Sequence, residues 1–409
     1  MITPQRKKIW RREELCYCSN VHDSVSEADL KHVVTHFVNG VRQQRQLIEM
    51  GSGLWINKQI SQQLIAHPEK IQVFKDLLKS NGISLYTLNG FPYDNFHAEV
   101  VKEAVYSPDW SQPERYDYTL NLARILAACL PEEAEEGTIS SLPLGFRYDW
   151  TEEKQDQALA ALCSMVNELS GIFTKTGKSI RLCLEMEPDC VLQSTFEIIE
   201  LFQQQLPAKA KQLGIDEQRI KKHLGICFDV CHQAVMFEDI TDSLTQFFNA
   251  DIRLGKIQIS SALEIKNPGQ QKSRELLAPF AEPKYLHQVR TLLDNKVEGV
   301  LDLSAALKNT EFPTAGPWRI HYHLPIQSAT FPQQLMDTTQ VCILDVLDFL
   351  QAHPQCHPHL EVETYTWNVL PESMRPHDDK SLIKGLTAEL NWLERQMQQR
   401  GLLQNDENR

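Results

Sequence analysis

The chain has 409 residues, with 41 Lys and Arg against 54 Asp and Glu, a formal charge of −13. That length allows one large α/β barrel with insertions or two ordinary domains, and the acidic balance argues against a dedicated binder of nucleic-acid backbone or anionic membrane. Signal-peptide character is lacking after the first basic residues and no apolar run approaches the roughly 18 residues of a membrane span, so a cytoplasmic protein is expected. The ten cysteines are scattered without a Cys-x-x-Cys pair, which predicts reduced, mostly buried thiols.

Residues 1–14 read as a solvated arm around the basic cluster Arg6 to Arg12. Leu15 to His22 reads as a first strand whose even-numbered polar face ends in Asn20 and His22. A helix then starts at Ser26, which has capping-box spacing to Asp29, with Leu30, Val33, Val34 and Phe37 as its apolar stripe. Gly53 to Asn57 is a short second strand, and Pro68 to Asn81 is an amphipathic helix stopped by Asn81-Gly82. The third strand, Ile83 to Asn89, runs into the aromatic loop Gly90-Phe-Pro-Tyr-Asp-Asn-Phe-His97, which would cover a substrate or pack over a barrel mouth.

Arg115 to Leu130 is helical, and a fourth strand follows from Gly137. The helix Thr151 to Lys175 carries Leu159, Leu162, Val166, Leu169 and Phe173 at steps of three and four. It leads to the strand Ile180 to Glu187, whose polar face ends in Glu185 and Glu187, and then to Leu224 to Asp229, ending in Asp229 with His232 three residues on. Gly255 to Ser260 presents Gln258 and Ser260 on the corresponding face. From residue 263 to 317 the rhythm falters among prolines, and this stretch is expected to be an insertion. Trp318 to Pro325 is strand-like with His321 and His323 on one face. After a helix at Val341 to Leu350, His359 to Tyr365 carries Glu361 and Glu363, and a closing helix bears Leu382, Leu386, Leu390 and Leu393. Residues 15–400 are thus expected to form a single (β/α)8 barrel, with 401–409 as a polar tail. One strand more than a barrel needs is present, so either Lys256 to Ser260 or Arg319 to Leu324 is displaced.

A barrel brings the carboxyl ends of its strands to one rim, where Glu185, Asp229, His232 and Glu363 would meet, with Gln258, His321 or His323 beside them. Oxygen and imidazole donors without thiolate suit a divalent ion, Mn²⁺, Zn²⁺ or Mg²⁺, which relieves repulsion among buried carboxylates. A lone Glu at a strand end is more often a cap or a solvated residue, and stacking on the core face is the default reading of His321 and His323. No Gly-x-Gly-x-x-Gly, Walker loop, His-Glu-x-x-His or Gly-x-Ser-x-Gly occurs.

Leu184-Glu185, Phe228-Asp229-Val-Cys-His232 and Val362-Glu363 resemble the fifth, sixth and eighth strand-end motifs of ketose epimerases in the xylose-isomerase-like barrel superfamily. That resemblance implies Glu185, Asp229 and Glu363 as metal ligands and His232 as a substrate contact. The epimerases' seventh-strand ligand is a histidine, where this chain has Gln258, leaving His321 or His323 to supply it. Tyr17 to His22, Tyr106 to Trp110, Tyr285 to Val289 and Glu361 to Trp367 resemble the metabolite-traffic protein EboE family, barrel proteins encoded with a prenyltransferase and a TatD-like hydrolase. The resulting expectation is a metal-dependent isomerase or epimerase of a small polyhydroxylated carbonyl compound. Glu185 and Glu363 would exchange the proton, Glu185, Asp229, Gln258, His323 and Glu363 would hold the ion, and His22, Asn89, Glu187, His232 and Trp367 would contact substrate. The alternatives are a carrier of a secondary metabolite on the same barrel, favoured by the aromatics Phe91, Tyr93, Trp110 and Trp367, and a metal-dependent phosphodiesterase.

Overall fold

The computed structural model describes residues 9–330 and 335–404. Most of the basic arm, residues 1–8, and the end of the tail, 405–409, lie outside the described residues. In chain order the strands are β1 (Cys16–Tyr17), β2 (Met50–Trp55), β3 (Ile83–Asn89), β4 (Glu136–Ser141), β5 (Ser179–Glu185), β6 (Leu224–Asp229) and β7 (Leu254–Ile259). Five short ones follow, β8 (Leu263–Ile265), β9 (Val289–Leu293), β10 (Lys296–Val300), β11 (Trp318–Ile320) and β12 (Met336–Thr338), and β13 (His359–Val362) comes last.

Strands β1 to β7 and β13 form one parallel sheet in the order β1-β13-β7-β6-β5-β4-β3-β2. A parallel bridge between Cys18 and Gly53 joins its two ends, so the sheet is a closed barrel. Its outward residues, such as Leu182, Leu184, Ile226, Phe228, Ile257 and Val362, are buried against the surrounding helices. The longest of the first helices, Glu152–Thr176, shows why the pattern folds this way: Thr151 caps it, Gly177 ends it at φ 71°, and Leu159, Leu162, Val166 and Leu169 are buried. Phe173, the last of the expected stripe, is 37% exposed and carries Lys222 over its ring.

The inward residues are polar or small. Thr138 of β4 bonds Thr87 at 2.8 Å and reaches across the interior to His359 Nδ1 at 2.7 Å. Lys256 pairs with Glu361 at 2.6 Å, both side chains fully buried. Gly53 is required here, because a Cβ at that position would fall 1.2 Å from Glu361 Oε1.

Between β7 and the helix Gln340–Ala352 that leads to β13, the chain builds a second, antiparallel sheet in the order β10-β9-β11-β8-β12. This sheet runs from Leu263 to Thr338, past the 263–317 stretch where the sequence rhythm falters. The displaced strand is Trp318–Ile320, which pairs with β8 and β9, while the Lys256 run takes its place in the barrel as β7. The loop after β3 is tied to the segment that carries this sheet through Val101 and Lys102 N–H groups donating to the Lys284 carbonyl and a Lys102–Asp302 ion pair.

Candidate metal and substrate site

Strand ends deliver three carboxylates to one point. Glu185 closes β5, Asp229 closes β6, and Glu363 follows β13; each is buried, and each has an oxygen within 4.8 Å of one from the others. Asp229 caps the helix Val230–Val235, its Oδ1 accepting from His232 N–H at 2.9 Å and the Ser260 hydroxyl at 2.8 Å. Glu363 Oε1 accepts from Asn20 Nδ2 at 2.7 Å and Asn89 Nδ2 at 3.1 Å. Glu185 Oε2 and Asp229 Oδ2 are buried without a hydrogen-bond partner.

Burial, and then the charges of Glu363 and Asp229, push Glu185 well above the ordinary carboxylate range. Burial and the charge of Asp229 do the same to Glu363. Burial would raise Asp229 too, but His232, His323 and its two accepted hydrogen bonds hold it below its ordinary value. The three acids are therefore an uneven set, one ionised readily and two disposed to keep a proton.

Four imidazole or acid side chains complete the floor of a cleft: Glu187, His232, His321 and His323. His323 Nδ1 donates to the Glu363 carbonyl at 2.9 Å, which leaves Nε2 unprotonated and 3.9 Å from Asp229 Oδ2. This set fits a divalent cation: two buried carboxylate oxygens lack partners, and the donors are oxygen and imidazole nitrogen. Phe91, Phe96, Tyr285 and Tyr365 wall the cleft above, so the aromatic loop after β3 does cover it, together with the inserted sheet. Tyr93 instead packs on Tyr118 beneath the Arg115 guanidinium, and His97 Nε2 lies 2.7 Å from the Asn20 carbonyl.

Several expected contacts are placed elsewhere. His22 does not reach the cleft: its Nε2 lies 3.0 Å from the Tyr17 hydroxyl and its ring stacks on Phe37 at 4.0 Å. The chain leaves the extended conformation at Cys18 for a 3-10 turn over Ser19–Val21, so the alternation that put His22 inward ends before it. Trp367 lies in the Tyr365–Val369 turn and donates to Glu389 Oε2 at 2.9 Å, against the closing helix rather than the cleft. Gln258 pairs in register with Asp229, yet its Oε1 faces Cys227 Sγ at 3.5 Å and its Nε2 is a buried donor without a partner. Asn89 and Glu187 do line the cleft, as does His232.

Two residues outside the expected set shape the site. Tyr106 donates to Glu187 Oε1 at 2.6 Å, and Gln288 reaches the same hydroxyl at 2.9 Å and His321 Nδ1 at 2.6 Å. They lie in the segments Tyr106 to Trp110 and Tyr285 to Val289.

No family model matches the chain, and no curated protein matches it. Solved structures do. A D-tagatose 3-epimerase-like protein is 12% identical over 95% of this chain and 98% of its own, with a TM-score of 0.49. The IolI protein, solved with a zinc atom, is 11% identical over 94% and 98%, with a TM-score of 0.47. A xylose isomerase domain protein from Planctomyces limnophilus is 10% identical over 96% of this chain and 99% of its own, with a TM-score of 0.51. With the closed eight-stranded parallel sheet, this last likeness gives the fold as that of the xylose-isomerase-like barrels.

Proposed function

We propose that the protein is a divalent-metal-dependent isomerase or epimerase of a small polyhydroxylated carbonyl compound. The observation that carries this reading is the pair of buried glutamates, Glu185 and Glu363, that line one cleft and are both pushed toward the protonated form, with an oxygen of Asp229 within 4.8 Å of each. Glu185, Asp229, His323 and Glu363 would hold the ion. When bound, it would hold adjacent substrate oxygens and stabilise the negative charge that develops beside the carbonyl.

Proton exchange at the carbon next to a carbonyl needs a base on one side and an acid on the other, each with an affinity for protons close to working pH. Glu185 Oε2, free of hydrogen bonds, is suited to take the proton. Glu363, fixed through Oε1 by Asn20 and Asn89, keeps Oε2 for returning it to the other face. His232 and Glu187 would orient hydroxyls, and the aromatic wall would keep water out. The resemblance to the EboE family directs the search for substrate toward compounds supplied to secondary metabolism.

Replacing Glu185 or Glu363 with Gln should abolish turnover, and with it the wash-in of solvent deuterium beside the carbonyl, across a panel of ketoses and ketose phosphates. Circular dichroism should stay unchanged. An unaltered exchange rate in either variant rejects the assignment. A carrier is the second reading, favoured by the aromatic wall of Phe91, Phe96, Tyr285 and Tyr365. A preparation that binds neither Mn²⁺ nor Zn²⁺ would decide for it.

A further inference from the structure

Three imidazoles meet on the cleft floor, and their hydrogen bonds fix which nitrogen carries hydrogen. His232 Nδ1 lies 2.7 Å from the Met186 carbonyl and His323 Nδ1 2.9 Å from that of Glu363. A carbonyl only accepts, so both Nδ1 atoms are protonated. His321 Nδ1 lies 2.6 Å from Gln288 Oε1, and that amide cannot be reversed, because its Nε2 donates to the Pro188 carbonyl at 3.1 Å. His321 is therefore also protonated on Nδ1.

In the neutral rings the three Nε2 atoms present lone pairs, and they are close. His321 Nε2 is 3.1 Å from His232 Nε2 and 3.3 Å from His323 Nε2. The Tyr365 hydroxyl lies 3.4 Å from His321 Nε2. Facing lone pairs at this separation repel unless positive charge lies among them. A metal ion among them would supply that charge. Nitrogens at zinc-ligand distance in a tetrahedron stand about 3.3 Å apart.

We propose that Glu187, His232 and His321 form a second cation site, nitrogen-rich and suited to Zn²⁺, beside the oxygen-rich one of Glu185, Asp229 and Glu363. One ligand atom from each of the three lies within 4.8 Å of the others, and all three are buried. Its outer partners are in place: Tyr106 and Gln288 hold Glu187, Gln288 also orients His321, and the Met186 carbonyl orients His232. His323, whose Nε2 faces both His321 and Asp229 Oδ2, stands between the two sites. The inserted sheet builds this second site, since Gln288 immediately precedes β9 and His321 follows β11. None of its three ligands belongs to the first site, so either can exist without the other.

The test is metal content by mass spectrometry after loading the full chain with Zn²⁺ and removing excess by gel filtration, together with the visible spectrum of the Co²⁺-loaded protein. Wild type should hold two ions per chain, His321→Gln one and Glu185→Gln one. The intense bands of nitrogen-bound, low-coordinate Co²⁺ should vanish in His321→Gln and persist in Glu185→Gln. A wild type that holds one ion, lost in Glu185→Gln and kept in His321→Gln, overturns the second site and leaves the first standing. Loss in His321→Gln alone removes the first and keeps the second, and a chain that takes up no ion overturns both. Glu187→Gln repeats the measurement should His321→Gln fail to fold.

Discussion

Two layers of buried acid lie inside one barrel, and only one of them is neutralised by the chain itself. In the lower layer Glu361 faces Lys256 at 2.6 Å and abuts Gly53, with no room left for a ligand. In the upper layer Glu185, Asp229 and Glu363 gather without a lysine or arginine ion-paired to them among the described residues. Glu361 and Glu363 lie two residues apart on one run of chain, yet fall in different layers. What separates a structural acid from a functional one here is therefore the presence of a resident counter-charge on the neighbouring strand, and burial does not distinguish them.

The comparison breaks hardest at Lys256. Burial alone would push its ammonium down, and Glu361 more than reverses that, so the pair is charged. Lys256→Met strands an unpaired carboxylate in the barrel and should cost about 3–5 kcal/mol, whereas Lys256→Met with Glu361→Gln should cost much less. Urea denaturation with an unchanged m-value reads both. Equal losses in the single and double variants would show that the lower layer is not held as an ion pair.

A third buried acid sharpens the contrast. Glu389 has no ion-paired cation among the described residues but accepts from Ile326 N–H, the Thr364 hydroxyl and Trp367 Nε1. Burial raises it to about 7 from an ordinary 4.5, against the pull of those donors. The folded protein then binds more protons than the unfolded chain between these values, so stability falls as pH rises through that window. The loss is on the order of 3 kcal/mol, complete above pH 7. Glu389→Gln should flatten that slope in thermal melts from pH 4.5 to 7.5; a slope that persists assigns it to the rim instead.

The upper layer was legible because alternation holds while a strand lasts. Glu185 and Asp229 are the last residues of β5 and β6, and Glu363 follows the end of β13 directly, so period-two reading reached them. His22 and Trp367 were misplaced for the converse reason: the backbone had already curled into 3-10 turns at Ser19–Val21 and Tyr365–Val369. His321 and His323 sit just past a three-residue strand of the inserted sheet, and nothing in their local pattern shows that this sheet lies over the barrel rim. Gln288 was out of reach for the same reason, since its contacts with Glu187 and His321 cross 101 and 33 residues of chain.

The smallest of the expected effects tests the upper layer itself. Without an ion, Glu185 and Glu363 are driven toward the protonated form by burial first and by neighbouring carboxylates second. An ion must displace those protons to bind, so its stabilising effect should grow as pH rises. At a concentration a hundredfold above its dissociation constant, Mn²⁺ should stabilise the wild type by about 2.7 kcal/mol. Melting temperatures at pH 5.5 and 7.5 should show a larger Mn²⁺ shift at the higher pH, and Glu185→Gln should lose most of it. Lys256→Met with Glu361→Gln should retain the shift in full, because the lower layer is already neutral without the ion. Were Glu185→Gln to respond like wild type, the unpartnered Glu185 Oε2 would have no part in holding the cation, and the distinction between the two layers would rest on Asp229 alone.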